Sequence, residues 1–255
     1  MPYIEQDLLV TQDKPDPYRH ITVLIVGETT RAQNWGLNGY KRQTTPLLAN
    51  RGEQIINFRS VSSCGTSTAY SVPCMFSTMD KDIVVVLHTI GSHEPTYHER
   101  YPAEYRRFTP TCDTNEINKC SNQELVNTYD NGILYIAQFI DKVITKLEQR
   151  NNVESAELYV SDHGESLSEN GVYLHSAPYA IAPKEQTQVP MIMWFSSAFR
   201  QDEGIDFDCL RRNAKQQKYS HDNFYSTVFG VMDMSLVSDT YRPEKDILAT
   251  CKKQK

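Results

Sequence analysis

Residues 21–29 have the sequence ITVLIVGET, an apolar and β-branched run that ends in Gly27, Glu28 and Thr29. A short run of this kind predicts a buried strand. A second run, at residues 158–160, ends in Ser161, Asp162 and His163. Ligands of open α/β sheets bind outside the carboxyl ends of the strands, so we expect Glu28, Asp162 and His163 to converge. Two carboxylates and one imidazole suit zinc and leave one coordination position open for chemistry.

The rest of the pattern predicts an α/β fold. Residues 82–90 predict another buried strand, which delivers His88 and then His93 to the same edge of the sheet. Apolar residues at helical spacing predict a long helix over residues 125–147. We also predict strands at residues 55–58 and 189–195 and a last helix at residues 224–232. Alternating strands and helices indicate a three-layer α/β/α sandwich with a mainly parallel sheet.

Composition limits the functional classes. The chain has 255 residues, of which 39% are hydrophobic and 23% charged, so we expect one globular domain with its own core. The net charge of -6 argues against nucleic-acid binding. We see neither an apolar stretch that could span a membrane nor a signal peptide, and we expect a domain of a larger protein. Residues 1–19 are interpreted as a lead-in segment and residues 20–255 as a single catalytic domain.

Six cysteines lie close together in pairs along the sequence. An even number of cysteines at loop-closing distances favours an oxidising compartment such as the periplasm. Six reduced, buried thiols are the alternative, but residues 113–116 between Cys112 and Cys120 are polar and offer no core. Proximity in sequence suggests the pairs Cys64/Cys74, Cys112/Cys120 and Cys209/Cys251.

Several residues could act on a substrate, and each also has an ordinary structural interpretation. A hydroxyl-rich loop opens into a predicted helix and offers four possible nucleophiles, among which spacing does not choose: Thr66, Ser67, Thr68 and Ser71. Any one of these hydroxyls could instead be a helix N-cap. His93 and His175 are candidate phosphate binders or general acids, and the role of His221 is left open. Likewise, Glu28 could cap a helix, and Asp162 and His163 could form a simple hydrogen-bonded pair.

Six segments resemble the periplasmic catalytic domain of the lipid A phosphoethanolamine transferases (EptA), a family that includes the mobile colistin resistance enzymes. They are residues 26–32 (VGETTRA), 63–69 (SCGTSTA), 72–76 (VPCMF), 88–93 (HTIGSH), 161–166 (SDHGES) and 169–175 (ENGVYLH). The resemblance is closest to Neisseria-type members, in which Cys209 and Cys251 also have counterparts. It implies the fold of alkaline phosphatases and sulfatases.

The resemblance also implies an activity: zinc-dependent transfer of phosphoethanolamine from phosphatidylethanolamine to lipid A through a phosphothreonine, which gives polymyxin and colistin resistance. Thr68 matches the nucleophile. His93 and His175 match residues around the transferred phosphate or a second metal, with His93 as a catalytic acid, and His88 matches a substrate-side residue farther out. The residues that match the zinc ligands are Glu28, Thr68, Asp162 and His163.

The same resemblance implies a location and partners. The chain would be the periplasmic domain of a bacterial inner-membrane protein, and it would meet the membrane through a transmembrane region absent from this sequence. Its partners would be a phosphatidylethanolamine donor and a lipid A acceptor, without nucleic acid. We expect a monomer.

Three departures from the family pattern bear on function. Glu94 and Ser168 stand where the family usually has glycine. Residues 79–82 join two motifs that a longer segment with donor-binding residues usually separates, so we expect a deletion or a missing segment there. The alternatives are therefore a sulfatase- or phosphodiesterase-type hydrolase on the same fold, or an inactive domain that binds metal or lipid.

Overall fold

The computed structural model describes residues 10–11, 19–75, 83–150, 153–202, 204–232, 235–236 and 241–252. All structural statements below concern these residues. Most of the predicted lead-in segment and the whole junction at residues 79–82 lie outside them. The division into a lead-in and one catalytic domain therefore stays a prediction.

The described elements follow the predicted alternation of strands and helices. The strands are β1 (Val10–Thr11), β2 (Arg19–Gly27), β3 (Ile55–Phe58), β4 (Val61–Ser62), β5 (Ile83–His88), β6 (Val153–Ser161), β7 (Ser166–Leu167), β8 (Tyr173–Leu174), β9 (Met191–Phe195), β10 (Tyr219–Ser220) and β11 (Ser235–Leu236). The α-helices are α1 (Pro46–Asn50), α2 (Thr68–Met75), α3 (Asn122–Glu148), α4 (Lys184–Thr187), α5 (Ser197–Asp202), α6 (Phe207–Gln216) and α7 (His221–Val231). None of the described helices is long and apolar enough to cross a membrane.

The central sheet has the order β3-β9-β6-β2-β5. Strand β2 pairs in parallel with both neighbours, β5 and β6. In this register Val26 lies opposite His88, and Gly27 lies opposite Ser161. The carboxyl ends of the three strands are therefore level, and the residues that follow them leave the sheet at one edge.

Strand β9 runs antiparallel to β6, which the sequence pattern did not indicate. After Ser161 the chain stays at the edge of the sheet, where Gly164 donates its N–H to the carbonyl of Gln186 and Ser161 donates its own to Pro190. The chain then returns to the sheet beside the carboxyl end of β6, so β9 runs in the direction opposite to β6. The other four strands point the same way, so the predicted α/β fold with a mainly parallel sheet is confirmed.

Both faces of the sheet are covered, because successive strand residues point to opposite sides. Val23 and Ile25 of β2 pack into the core beneath α3. Leu24 and Val26 pack into the other core, to which α6 and α7 contribute Leu210, Phe224 and Val228. The three-layer arrangement expected from the sequence is thus present.

Helix boundaries follow capping residues that the apolar periodicity does not report. Helix α3 begins at Asn122 because Ser121 and Glu124 form a capping box. Helix α6 was not predicted; the side chain of Asp206 accepts hydrogen bonds from the first N–H groups of this helix.

Two of the predicted disulfides are present, Cys112–Cys120 and Cys209–Cys251. Cys64 is also disulfide-bonded. Its predicted partner is Cys74, whose side chain lies outside the described residues.

Ser168 occupies a backbone conformation that suits glycine better than serine. Its φ angle is 95°, in the left-handed region that a side chain disfavours. A glycine would adopt this angle without steric cost, so the serine stores strain in the turn before Glu169.

We expect Ser168→Gly to stabilise the fold by about 1 kcal/mol, because it removes the left-handed strain of a side chain. Urea unfolding followed by circular dichroism measures the change. Ser197→Gly in helix α5 is the matched control and should lower stability, since glycine weakens a helix. A loss of stability in Ser168→Gly equal to that of the control would contradict the interpretation.

Candidate active site and metal centre

A close backbone approach brings two of the strand ends together. Gly91, just after β5, has a φ angle of 48°, and a Cβ there would lie 2.2 Å from the carbonyl oxygen of Glu28. The N–H of Ser92 donates to the same carbonyl at 3.3 Å. Only glycine permits this approach, which holds the segment carrying His93 beside the end of β2.

The four residues predicted as zinc ligands meet at one point. Thr68, the first residue of α2, donates its hydroxyl to Glu28 Oε2 at 2.8 Å and lies 3.5 Å from His163 Nε2. His163 Nε2 is 3.0 Å from Glu28 Oε1 and 3.5 Å from Asp162 Oδ2. Glu28, Asp162 and His163 are buried, and Thr68 lies at the partly exposed mouth.

The orientation of His163 decides what this cluster can hold. His163 Nδ1 lies 2.8 Å from the carbonyl oxygen of Gly164, so Nδ1 carries a proton, and Nε2 presents a lone pair whenever the ring is neutral. When Nε2 carries no proton, buried Glu28 Oε1 and Asp162 Oδ2 receive no hydrogen bond from the described residues. Three electron-pair donors that face each other in a buried site repel unless a positive charge lies among them. A divalent cation with nitrogen and oxygen ligands fits this arrangement.

The protonation equilibria lead to the same conclusion. Burial raises the pKa of Asp162 to about 6. Burial opposes ionisation of Glu28 as well, but the hydrogen bond and charge of His163 outweigh it, so the pKa of Glu28 is lowered. Burial would lower the pKa of His163, yet the neighbouring Glu28 and Asp162 raise it. The cluster therefore attracts positive charge, which either a proton or a metal ion can supply.

The structure also separates three of the four hydroxyl candidates. Thr66 donates its hydroxyl to the carbonyl of Ala177, and Ser71 is fully buried. The hydroxyl of Thr68 touches both Glu28 and His163. Among the hydroxyls with described contacts, Thr68 is therefore the candidate that faces the predicted ligands.

A second polar cluster adjoins the first. His175 Nδ1 lies 3.0 Å from Glu94 Oε2 and 3.5 Å from Glu165 Oε2. Its ring centre is 4.3 Å from that of His163 and 5.5 Å from that of His93. His93, Glu94 and His175 together offer three atoms that could also hold a metal ion.

Sequence reasoning did not assign Glu94 and Glu165 to the site. Burial raises the pKa of Glu165 to about 8. Burial opposes ionisation of Glu94 too, but its contacts with His175 and Glu165 lower its pKa to about 2. Glu165 could have been found from its place in the motif SDHGES, and Glu94 from its departure from glycine.

His88 lies closer to the ligands than the sequence suggested. Its Nε2 is 3.4 Å from Glu28 Oε2, and its side chain is 43% exposed. With Glu28 and Asp162 it forms another group that could hold a metal ion. His88 thus stands at the open side of the cluster, in direct contact with a predicted ligand.

Comparison with known proteins places this chain in a family. The family model described as sulfatase matches residues 20–82 and 77–234. The crystal structure of the soluble domain of lipooligosaccharide phosphoethanolamine transferase A from Neisseria meningitidis is 50% identical, with a TM-score of 0.95, over 100% of this chain and 99% of that one. This chain belongs to the EptA family of phosphoethanolamine transferases.

A second relative from that family is phosphoethanolamine transferase EptA of Escherichia coli O157:H7, which is 38% identical over 314 residues. That alignment covers 92% of this chain and 57% of the relative, so the chain spans little more than half of the EptA sequence it matches. The alignment is 314 residues long, whereas this chain has 255 residues. The Escherichia coli relative therefore carries residues that have no counterpart in this chain.

A more distant structure shares the fold. The C-terminal periplasmic domain of EcEptC from Escherichia coli, in a complex with Zn, is 17% identical with a TM-score of 0.75, over 94% of this chain and 89% of that one. At 17% identity, the similarity between that domain and this chain shows a shared fold and nothing more.

The pKa of His175 in the metal-free protein is expected to lie near 10. Burial lowers it, but Glu165 and Glu94 stabilise the protonated ring more strongly. The stabilisation from this raised pKa is complete below the ordinary value of 6.5 and is lost as the pH rises through about 10. Glu94→Gln removes one of the two carboxylates and should lower the pKa by ~1–3 units.

Imidazole NMR titration of the chelator-treated protein measures this change. His221 serves as the internal control, since burial lowers its pKa to about 4 and the Glu94→Gln substitution should leave it unchanged. An unchanged pKa of His175 in the variant would show that Glu94 does not hold the ring in solution.

Proposed function

We propose that this chain is the catalytic domain of a zinc-dependent transferase that moves phosphoethanolamine from phosphatidylethanolamine to lipid A through a covalent phosphothreonine at Thr68. The main support is the position of the Thr68 hydroxyl, which contacts both Glu28 and His163. These residues belong to a buried cluster that a cation would stabilise. Membership of the EptA family supports the reaction class.

Glu28, Asp162 and His163 would hold the zinc ion, with Thr68 as the fourth ligand. Their donor atoms are the nitrogen and oxygen types that zinc binds, and a domain of the same fold from Escherichia coli is described in complex with Zn. When bound, zinc would favour ionisation of the hydroxyl and neutralise the charge that builds on the phosphoryl oxygens.

The residues of the chain account for the first step. Glu28 is ionised, because its pKa is lowered, and its Oε2 can accept the proton of Thr68 Oγ1 across 2.8 Å. Thr68 Oγ1 then attacks the phosphorus of phosphatidylethanolamine, and the bond between phosphorus and the diacylglycerol oxygen breaks. In the second step a phosphate oxygen of lipid A attacks the phosphorus of the phosphothreonine, the bond between phosphorus and Thr68 Oγ1 breaks, and Oγ1 takes back the proton that Glu28 accepted.

His93 and His175 would serve the phosphate and the leaving group. His93 Nδ1 lies 2.8 Å from the carbonyl of Glu94 and donates to it, so Nε2 is the free ring nitrogen, and it would deliver a proton to the leaving alcohol from the doubly protonated ring. With a pKa raised to about 10, His175 is positively charged at neutral pH and suits a phosphoryl oxygen. His88 would contact the substrate at the open side.

The same proposal covers location and consequence. An integral membrane protein from Neisseria meningitidis, lipooligosaccharide phosphoethanolamine transferase A (EptA), matches over 62% of its length. We therefore propose that this chain works as a periplasmic, monomeric domain of an inner-membrane protein. Each transferred group adds an ammonium charge to lipid A, which would weaken binding of cationic polymyxins.

The predicted deletion remains part of the proposal. The two matched parts of the sulfatase family model meet at residues 77–82, where the sequence pattern indicated a missing segment. If donor-binding residues are absent there, the chain would bind zinc yet react slowly. A hydrolase would release free phosphoethanolamine, and a binding module would form no adduct at all.

We expect wild-type protein incubated with dispersed phosphatidylethanolamine to gain the mass of one phosphoethanolamine group, and Thr68→Ala to gain none. Thr68→Ser keeps the hydroxyl and is the matched control, which should still form the adduct. Intact mass and peptide mapping locate the group. An adduct on another residue of Thr68→Ala would refute the assignment of the nucleophile.

Zinc should raise the unfolding temperature of the chelator-treated protein. At a free zinc concentration of 100 times Kd the expected stabilisation is about 2.7 kcal/mol. Glu28→Gln and Asp162→Asn should bind zinc much more weakly, because each removes a charged ligand.

Glu157→Gln is the control, since Glu157 is an equally buried carboxylate on the same strand as Ser161 but has no described contact with the cluster. Equilibrium dialysis with elemental analysis gives affinity and stoichiometry. Wild-type affinity in Asp162→Asn would overturn the ligand assignment.

A further inference from the structure

His221 is a buried histidine whose role the sequence left open. It is the first residue of α7, and its exposed fraction is 0%. Each ring nitrogen contacts a different part of the active-site framework. The backbone N–H of Cys64 donates to Nδ1 at 3.2 Å, and Nε2 lies 2.9 Å from the carbonyl oxygen of Ser161.

These two contacts require one tautomer. Nδ1 accepts a hydrogen bond and so carries a lone pair, whereas Nε2 faces a carbonyl oxygen and so carries the proton. The ring is neutral, because burial lowers the pKa of His221 to about 4. The N-terminal end of a helix also disfavours a positive charge. A single neutral imidazole thus satisfies one main-chain donor and one main-chain acceptor at once.

One end of this bridge lies at the metal ligands. Ser161 directly precedes Asp162 and His163 in the chain. Its hydroxyl accepts a hydrogen bond from the N–H of Thr30 at 2.9 Å and donates to the carbonyl of His163 at 2.9 Å. The carbonyl bound by His221 therefore belongs to a residue that already links the ends of β2 and β6.

The other end lies on the loop that leads to the nucleophile. Cys64 precedes Thr68 by four residues, and the neighbouring loop residues are tied to other segments: Ser63 N–H donates to Thr187 O at 2.7 Å, and the Thr66 hydroxyl donates to Ala177 O at 2.6 Å. Neither of these two hydrogen bonds connects the loop to the carboxyl end of β6. His221 supplies that connection, and the parallel pairing of β10 with β4 places it there.

We propose that His221 is a positioning residue that sets the distance between Thr68 and the ligands Asp162 and His163. His221 contacts neither the transferred proton nor the phosphorus. It acts through the N–H of Cys64 and the carbonyl of Ser161. The inference rests on the proposed function, since the distance matters only if Thr68 reacts beside a bound metal. An ordinary buried histidine would support the stability of the fold without affecting metal affinity or the rate of reaction.

Three variants separate the two ring contacts. His221→Asn can present an oxygen to the N–H of Cys64, and His221→Gln can present an N–H to the carbonyl of Ser161. His221→Phe keeps the bulk of the ring and loses both contacts. We expect His221→Phe to weaken zinc binding by about 10-fold or more. It should also lower kcat for adduct formation by about 10–100-fold with KM unchanged. His221→Asn and His221→Gln should fall between it and the wild type.

Val228→Ala is the matched control for lost stability, because Val228 is a fully buried residue of the same helix that belongs to the apolar core. It should lower the unfolding temperature and leave zinc affinity and kcat unchanged. If His221→Phe does not fold, His221→Asn and His221→Gln carry the test, since each keeps one contact.

NMR of the imidazole nitrogens gives a measurement that does not depend on activity. We expect the Nε2–H tautomer throughout about pH 5–8 in wild-type protein, with or without zinc. An Nδ1–H tautomer, or wild-type zinc affinity and kcat in the His221 variants, would overturn the proposal. If wild-type protein forms no adduct, the proposed function fails, while tautomer and zinc affinity still decide whether His221 positions the ligands.

Discussion

The site depends on the level ends of three parallel strands. Because Val26 lies opposite His88 and Gly27 opposite Ser161, the next residues of β2 and β6 leave the sheet at the same height. Glu28, Asp162 and His163 therefore lie at the same edge of the sheet and face one another. Hydrogen bonds from the sheet hold the backbone there, so the mutual repulsion of their electron pairs cannot relax by moving the strands apart.

That repulsion gives the site its chemistry. Buried oxygens without hydrogen-bond donors cost free energy unless a cation lies among them. A cation would change the sign of the local field, so that a cluster containing Glu28, Glu94, Asp162 and Glu165 could still accept a phosphate. His175, whose pKa is raised to about 10, adds a fixed positive charge beside it.

Main-chain carbonyls orient three histidines of this region. Gly164 accepts from His163, Glu94 accepts from His93, and Ser161 accepts from His221. Because a main-chain carbonyl hardly moves, each bond fixes both the ring and its tautomer. His163 and His93 consequently turn Nε2 away from the backbone, whereas His221 turns Nδ1 toward the backbone N–H of Cys64.

Local sequence was sufficient to predict strands β2, β3 and β6, helix α3, two disulfides, and the family, because these depend on short-range periodicity, proximity and contiguous motifs. Only the tertiary structure decided that β9 runs antiparallel, that the Thr66 hydroxyl donates to Ala177, and that Glu94 pairs with His175. It also revealed the bridge from Cys64 to His221, which joins residues 157 positions apart. Contacts of that range arise from the packing of whole elements, so no local pattern in the sequence encodes them.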